Sequence, residues 1–309
     1  MADFAQIQLP VEGPYDFRQS VSALVHGRGN PTRRFVDGVV WFAARWPDGP
    51  ATLRLVPHEG GVHAAAWGPG ADAALVAAPG IAGLHDDASD WKPEHPLVAE
   101  LHRGRPGQRM PRSGLVVLEL MRTILGQLVT VREANDAWRA LVRAYGEPAP
   151  GPPDALAGLV LPPDPAVLAR VQPWRLTTLG MLSKQAETIR RVCERAKRME
   201  EAAGMSLEDG MRRMQAIRGV GPWTAGSVMG GALGHPDAVV VGDLHLPRTV
   251  AFALAGETEA DDARMLQLLE PFRGHRQRVV RLLHGSGRKV PRRGPRPEAR
   301  PAWGRRRGR

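Results

Sequence analysis

Cysteine is almost absent from this chain: 309 residues hold one, Cys193. A single thiol excludes an intrachain disulfide and any iron–sulfur or zinc cluster built wholly from cysteines. No motif surrounds Cys193, which lies in a helical pattern over 183–202, so it reads as a small core or surface residue and not as a nucleophile. Long apolar runs are lacking as well. No stretch reaches about 18 apolar residues, which leaves no candidate membrane span. The opening MADFAQIQLPVEG has no apolar signal core, so a cytoplasmic location is expected. No repeat of fixed period is visible.

Most of the chain also lacks surplus charge. The formal net charge is +10, but ten of the 42 Lys and Arg residues and one of the 32 acids fall in Ser286–Arg309. That Pro-, Gly- and Arg-rich segment holds +9, and the rest of the chain is nearly neutral at +1. Its composition cannot build a core and reads as a disordered tail able to add salt-sensitive, non-specific nucleic-acid affinity. Any nucleic-acid binding by the body must come from local placement of groups rather than from overall charge.

What is present is enough apolar content, 43% of residues, for globular cores, and a length that suits about two domains. Residues 1–111 read as a mixed α/β unit. A short helix is expected over Phe17–Leu24, then strands at Val39–Trp46, Thr52–Val56 and Val62–Trp67, and a helix at Ala71–Ala78. From Ser113 the texture is helical. Leu115, Leu118, Met121 and Leu125 recur at helical spacing, followed by Ala134, Trp138, Leu141, Val142 and Tyr145. Further helices are expected at 165–171, 183–202, 206–217, 223–232, 244–255, 260–270 and 274–284. Ser206 and Asp209 have the form of a capping box.

The stretch Ile217-Arg218-Gly219-Val220-Gly221-Pro222-Trp223-Thr224-Ala225 carries the most chemistry. Glycines at 219 and 221 allow positive φ and a close backbone approach. Val220 would plug a hairpin between two helices, and Pro222 suits a first helical turn. The free amides of that turn would then face a phosphate, a contact that fixes register on DNA without reading sequence. Twenty residues after Trp223 comes Asp243, behind the β-branched run Val239-Val240-Val241-Gly242. Asp is a favoured N-cap. It also suits stabilisation of an oxocarbenium-like transition state at a breaking glycosidic bond, or the orientation of an attacking water. The two roles are compatible, because a helix N-terminus keeps a carboxylate ionised.

Hairpin and downstream Asp together resemble the helix–hairpin–helix DNA glycosylase superfamily, and within it the bacterial DNA-3-methyladenine glycosylase II family. Ile124-Leu125-Gly126-Gln127-Leu128-Val129-Thr130-Val131 is similar to that family's ILGQ-x-V-S/T-V segment, and Gly219–Ala225 to its G-[IV]-G-x-W-T-A hairpin. The spacing from Trp223 to Asp243 fits without a gap. Leu84-His85-Asp86-Asp87 and Pro106–Pro111 extend the resemblance into the N-terminal region, so that it covers roughly residues 10–285. It implies an α+β architecture: a small N-terminal α/β domain with an antiparallel sheet (1–111), an all-helical glycosylase domain (112–285) and the basic tail (286–309). It implies a monomer acting on double-stranded DNA with a damaged base, associated with the nucleoid, and no membrane. No cofactor or metal is implied, although analogy with the family allows a structural monovalent cation in the hairpin.

Carried over residue by residue, Asp243 becomes the catalytic carboxylate and Leu128 the wedge entering the duplex beside a flipped nucleotide. Leu128 as a core residue is the competing reading. Trp223 would line the base pocket, where an aromatic face attracts a cationic alkylated purine, against simple helix packing. Gly219, Val220, Gly221 and Thr224 would form the phosphate-binding hairpin. Gln127, His245 and Arg248 would support the site. Lyase-competent relatives place a Lys where this chain has Trp223, so a hydrolytic, monofunctional reaction is implied. Three pocket positions depart from the pattern: Leu244 and Ser227 replace tyrosines, and Phe272 stands near an expected Trp. The leading reading is an alkylbase glycosylase; the less aromatic pocket opens a second, a glycosylase for oxidised or deaminated bases, and the hairpin with the Arg-rich tail would suffice for a third, a non-catalytic binder of damaged DNA.

Overall fold

The computed structural model describes residues 4–22, 24, 29–152 and 158–287. The expected disordered tail, apart from Ser286 and Gly287, lies outside them.

The N-terminal part is a five-stranded antiparallel sheet, β1 (Phe4–Pro10), β2 (Arg33–Val36), β3 (Val39–Trp46), β4 (Gly49–His58) and β5 (Gly61–Trp67), in the order β1-β5-β4-β3-β2. The three expected strands are β3, β4 and β5. The two edge strands were not anticipated, because β1 interleaves Gln6 and Gln8 with apolar residues and β2 opens on two arginines. Asp37-Gly38, both at positive φ, closes the β2–β3 hairpin, as two-residue turns require. The inner face carries Val40, Phe42, Leu53, Leu55, Val62, Ala64 and Ala66, all buried. It is covered by α2 (Ala71–Ile81) and backed by α1 (Phe17–Val21), a helix shorter than expected.

Helices then follow in order: α3 (Pro96–Arg103), α4 (Val116–Leu125), α5 (Val131–Tyr145), α6 (Pro165–Leu168), α7 (Pro173–Thr177), α8 (Ser183–Glu194), α9 (Ala196–Glu200), α10 (Leu207–Gln215), α11 (Pro222–Gly231), α12 (Leu246–Ala255), α13 (Asp262–Leu269) and α14 (Arg276–Gly285). The single helix expected over 183–202 breaks at Arg195, whose φ of −120° and ψ of 24° leave the helical region. The helices α3 and α7 were not anticipated; each is short and begins at a proline after a β-region residue. Ser206 does cap α10, accepting from the Asp209 amide. Cys193 is buried beside Met121, and burial, with Asp164 and Glu194 nearby, pushes its thiol up to about 12, so it stays protonated.

Two cores organise the molecule. The larger joins the inner sheet face to α2, α4, α5, α8, α10 and α11. The smaller packs Leu97 and Val98 of α3 against Val250, Met265, Leu269, Phe272, Val279 and Leu283 of the C-terminal helices. Polar clamps tie the parts together. The Arg278 guanidinium donates to both Asp86 oxygens at 2.8 and 2.6 Å, with both side chains under a tenth exposed. Arg281 donates to the carbonyls of Gln19, Ser20 and Arg109.

Candidate active site

The site forms where the two cores meet, between α11 of the larger and α12 of the smaller. The hairpin lies between α10 and α11. Val220 is 5% exposed and packs into the larger core, so the turn is anchored by its apolar centre. Gly219 has φ +101°, and a Cβ there would lie 2.1 Å from Thr188 Oγ1 on α8. Only glycine allows that approach. Gly221 N-caps α11 without a side-chain cap, and a Cβ built on it meets nothing within 4 Å. No side chain caps the first turn of α11, and its first residue, Pro222, has no amide to be capped.

Behind the hairpin runs the α4–α5 corner. Gln127 Nε2 donates to the Gly219 carbonyl at 3.0 Å and to Thr224 Oγ1 at 2.8 Å. Gln185 of α8 supports this corner from below, donating to the carbonyls of Leu125 (3.2 Å) and Gln127 (2.7 Å). Leu128 follows at φ +60°, a conformation rarely adopted by a leucine, with 83% of its surface exposed. It is therefore not a core residue. Thr130 and Glu133 form a reciprocal capping box that fixes the start of α5 immediately beyond.

Asp243 is held from two sides. Its Oδ1 accepts from the His245 and Leu246 amides, both at 2.8 Å, and its Oδ2 accepts from Trp223 Nε1 at 3.0 Å. Asp243 is not the N-cap of α12, which is His245; it lies two residues earlier, and its one carboxylate holds both the amides at the helix start and the α11 indole. Burial alone would raise its pKa, but the Trp223 indole N–H, the two amides and nearby His245 outweigh that and hold it below the usual carboxylate range. It is ionised at neutral pH. Gly242, just before it, donates its amide to Asp262 Oδ2 at 2.9 Å. The Trp223 ring reaches the α4–α5 corner, approaching the Cβ position of Gly126 to 3.5 Å. One indole therefore connects the α4–α5 corner, the hairpin helix and the carboxylate.

The other expected residues are distributed unequally. Ser227 sits one turn along α11 from Trp223, its hydroxyl donating to the Trp223 carbonyl at 2.8 Å. Leu244 is 81% exposed next to Asp243. The His245 side chain is exposed, and its contribution to Asp243 is the backbone amide. Arg248 points away, donating to the Thr258 carbonyl and pairing with Glu259, so it pins the chain after α12. Two assignments shift. Thr224 is 1% exposed and its hydroxyl is occupied by Gln127, so it braces the hairpin from inside. Phe272 is 6% exposed, its ring against His95 in the smaller core, so it packs and does not present an open aromatic face.

Sequence reading missed Gln185, Thr188 and Asp262, which act only through partners distant in sequence. It also missed His284 at the end of α14. There desolvation lowers the imidazole pKa, and the Asp243 charge opposes it.

No family model matches the chain. DNA-3-methyladenine glycosylase 2 of Escherichia coli strain K12 is 32% identical over 132 residues, which is 41% of this chain and 45% of that protein. The match spans less than half the length of that relative. Among solved structures, the 3-methyladenine DNA-glycosylase from Archaeoglobus fulgidus superposes with a TM-score of 0.72 at 17% identity, covering 91% of this chain and 97% of that one. An 8-oxoguanine glycosylase/lyase from Clostridium acetobutylicum, bound to double-stranded DNA, gives 0.65 at 12% identity over 91% and 97%. The resemblance to helix–hairpin–helix DNA glycosylases read from the sequence is borne out, and so is the α+β fold class.

Proposed function

We propose that the chain is a monofunctional DNA glycosylase that flips out an alkylated base of the 3-methyladenine type and hydrolyses its N-glycosidic bond, leaving an abasic site. The observation that carries this is the ionised Asp243 carboxylate, fixed by the Trp223 indole and the start of α12, with the uncapped amides of the hairpin helix alongside. In duplex DNA the hairpin amides would take a phosphate, and Leu128 would fill the stack vacated by the flipped base.

The electrostatics favour one role for Asp243 over another. A carboxylate held below its ordinary pKa is a poor base toward water. It is well suited to stabilising the positive charge that develops on the sugar as the base departs, because its donors are already in place and need no reorganisation. A carboxylate has about four acceptor positions. Three are filled, so roughly one is left for the sugar or for orienting water. Trp223, standing where lysine-using relatives carry their nucleophile, leaves water as the attacking group.

The test is base release from methylated duplex DNA by wild-type protein and by Asp243→Asn. Asn keeps an oxygen for the α12 amides, so the fold should be retained, as circular dichroism would verify. A loss of about 100-fold or more is expected from the size of such electrostatic contributions. Unchanged release by the variant would remove Asp243 from the chemistry.

A second reading keeps the reaction and changes the lesion to an oxidised or deaminated base. Leu244 and Ser227, which thin the aromatic lining beside Asp243, favour it, as does the fold shared with an 8-oxoguanine glycosylase/lyase. Single-lesion duplexes separate the two: release of 8-oxoguanine or hypoxanthine without 3-methyladenine would replace the first reading by this one.

A further inference from the structure

Away from the hairpin, α6 and α7 enclose an open cleft of about 490 Å³ lined by Val167, Arg170, Val171, Gln172, Trp174 and Arg175. Trp174 is 63% exposed and Val167 46%. These two large apolar side chains stand open on neighbouring helices at one concavity. The lining holds two guanidiniums and no carboxylate. Arg175 lies over the Trp174 ring at 5.4 Å, which orders the indole while leaving its charge available. The neighbouring acid, Asp164, caps α6 through the Ala166 amide and faces Arg45 at 3.9 Å, so it does not neutralise the cleft. Neither α6 nor α7 contributes a residue to the Asp243 site, and both are anchored from beneath by Leu168 and Leu176, each fully buried.

We propose that this cleft docks a short acidic peptide segment of a partner protein, with an apolar side chain seated between Val167 and Trp174 and carboxylates against Arg170 and Arg175. The charge is complementary. The concavity, about 490 Å³, holds a few side chains rather than a duplex. Trp and Arg are the residues that dominate the affinity of such anchored contacts. A carboxylate meeting a guanidinium gains bidentate, charge-assisted hydrogen bonds.

The probe is a fluorescein-labelled peptide of sequence Asp-Asp-Glu-Leu-Phe, titrated by anisotropy with the full chain. Binding that weakens as salt is raised from about 50 to 300 mM, and at least tenfold in both Trp174→Ala and Arg170→Glu/Arg175→Glu, is the expected result. Base release should stay at the wild-type level in these variants. The basic segment 286–309 offers an alternative acceptor, so binding that survives both substitutions would overturn the proposal. Competition of the peptide by undamaged duplex DNA that is itself weakened by Trp174→Ala would also overturn it and assign the cleft to nucleic acid. Absence of peptide binding together with a concentration-dependent dimer lost in Trp174→Ala would assign it to a second copy of the chain.

Discussion

Trp223→Phe removes one donor from Asp243 together with the outer edge of the indole. The 3.0 Å bond from Nε1 to Oδ2 disappears, and with it the 3.5 Å approach of the ring to the Cβ position of Gly126. A hydrogen bond to a charged group contributes roughly 1.5–3 kcal/mol. Asp243 is only half-buried, so solvent screening reduces this to about 1 kcal/mol. Loss of the donor raises the Asp243 pKa, because the indole is the largest influence holding it down. The sign of the stability change follows. A carboxyl whose folded pKa is depressed contributes stability above its unfolded pKa, and that contribution is lost as pH falls through the folded value. Trp223→Phe should therefore cost about 1 kcal/mol in urea unfolding at pH 7, and less as pH drops below the ordinary Asp range near ~4. The acid limb of the base-release profile should move upward while activity near neutrality falls only about fivefold, the rate equivalent of 1 kcal/mol. An acid limb that stays in place would refute the claim that the indole sets the ionisation of Asp243. A stability loss independent of pH would show that the ring matters only for packing.

Gly219→Ala should be costly, since it combines left-handed strain of about 1–2 kcal/mol with overpacking of about 1–3 kcal/mol against Thr188. Thr188→Ala in the same chain removes the nearest clash and should recover the second part in a double-mutant cycle of unfolding free energies; a fully additive cycle would contradict the hairpin geometry. Leu128→Asn should leave stability unchanged or raise it by up to ~1 kcal/mol, because Asn tolerates positive φ and the leucine buries almost nothing. Base release should nevertheless fall at least about tenfold, and a destabilisation above about 2 kcal/mol would return Leu128 to the core. Arg278→Met strands the buried Asp86 carboxylate and should cost about 3–5 kcal/mol by thermal or urea unfolding; a cost under about 1 kcal/mol, the size of a surface pair, would show that the clamp does not join the two parts.

The chain's local patterns already carried the helical region and the position of the hairpin. Helical periodicity, a capping serine and a Gly-x-Gly-Pro turn are set by residues within a turn or two of one another, so their outcome depends little on the rest of the molecule. The central strands were readable from short apolar, β-branched runs bounded by turn residues, with period-two alternation at Thr52–Val56. Edge strands β1 and β2 were not, because β1 is mostly exposed and β2 opens on two arginines, the first of them buried. The proline-initiated helices α3 and α7 were too short for periodicity to register.

At the site, the sequence alone determined which residue types stand in which order: glycines, a tryptophan and a carboxylate twenty residues later. Only the tertiary structure decided what each one does. The Trp223 indole of α11 meets Asp243 ahead of α12, which makes a residue holding helix-start amides also an ionised group tied to a distant helix. Closure of the α4–α5 corner by Gln127 and Gln185 turns Leu128 outward at positive φ and draws the Thr224 hydroxyl inward. These contacts link positions 58 to 97 residues apart, and their energies depend on distances of a few tenths of an ångström. Neither is encoded in any local stretch of chain, so they exist only once both cores have formed.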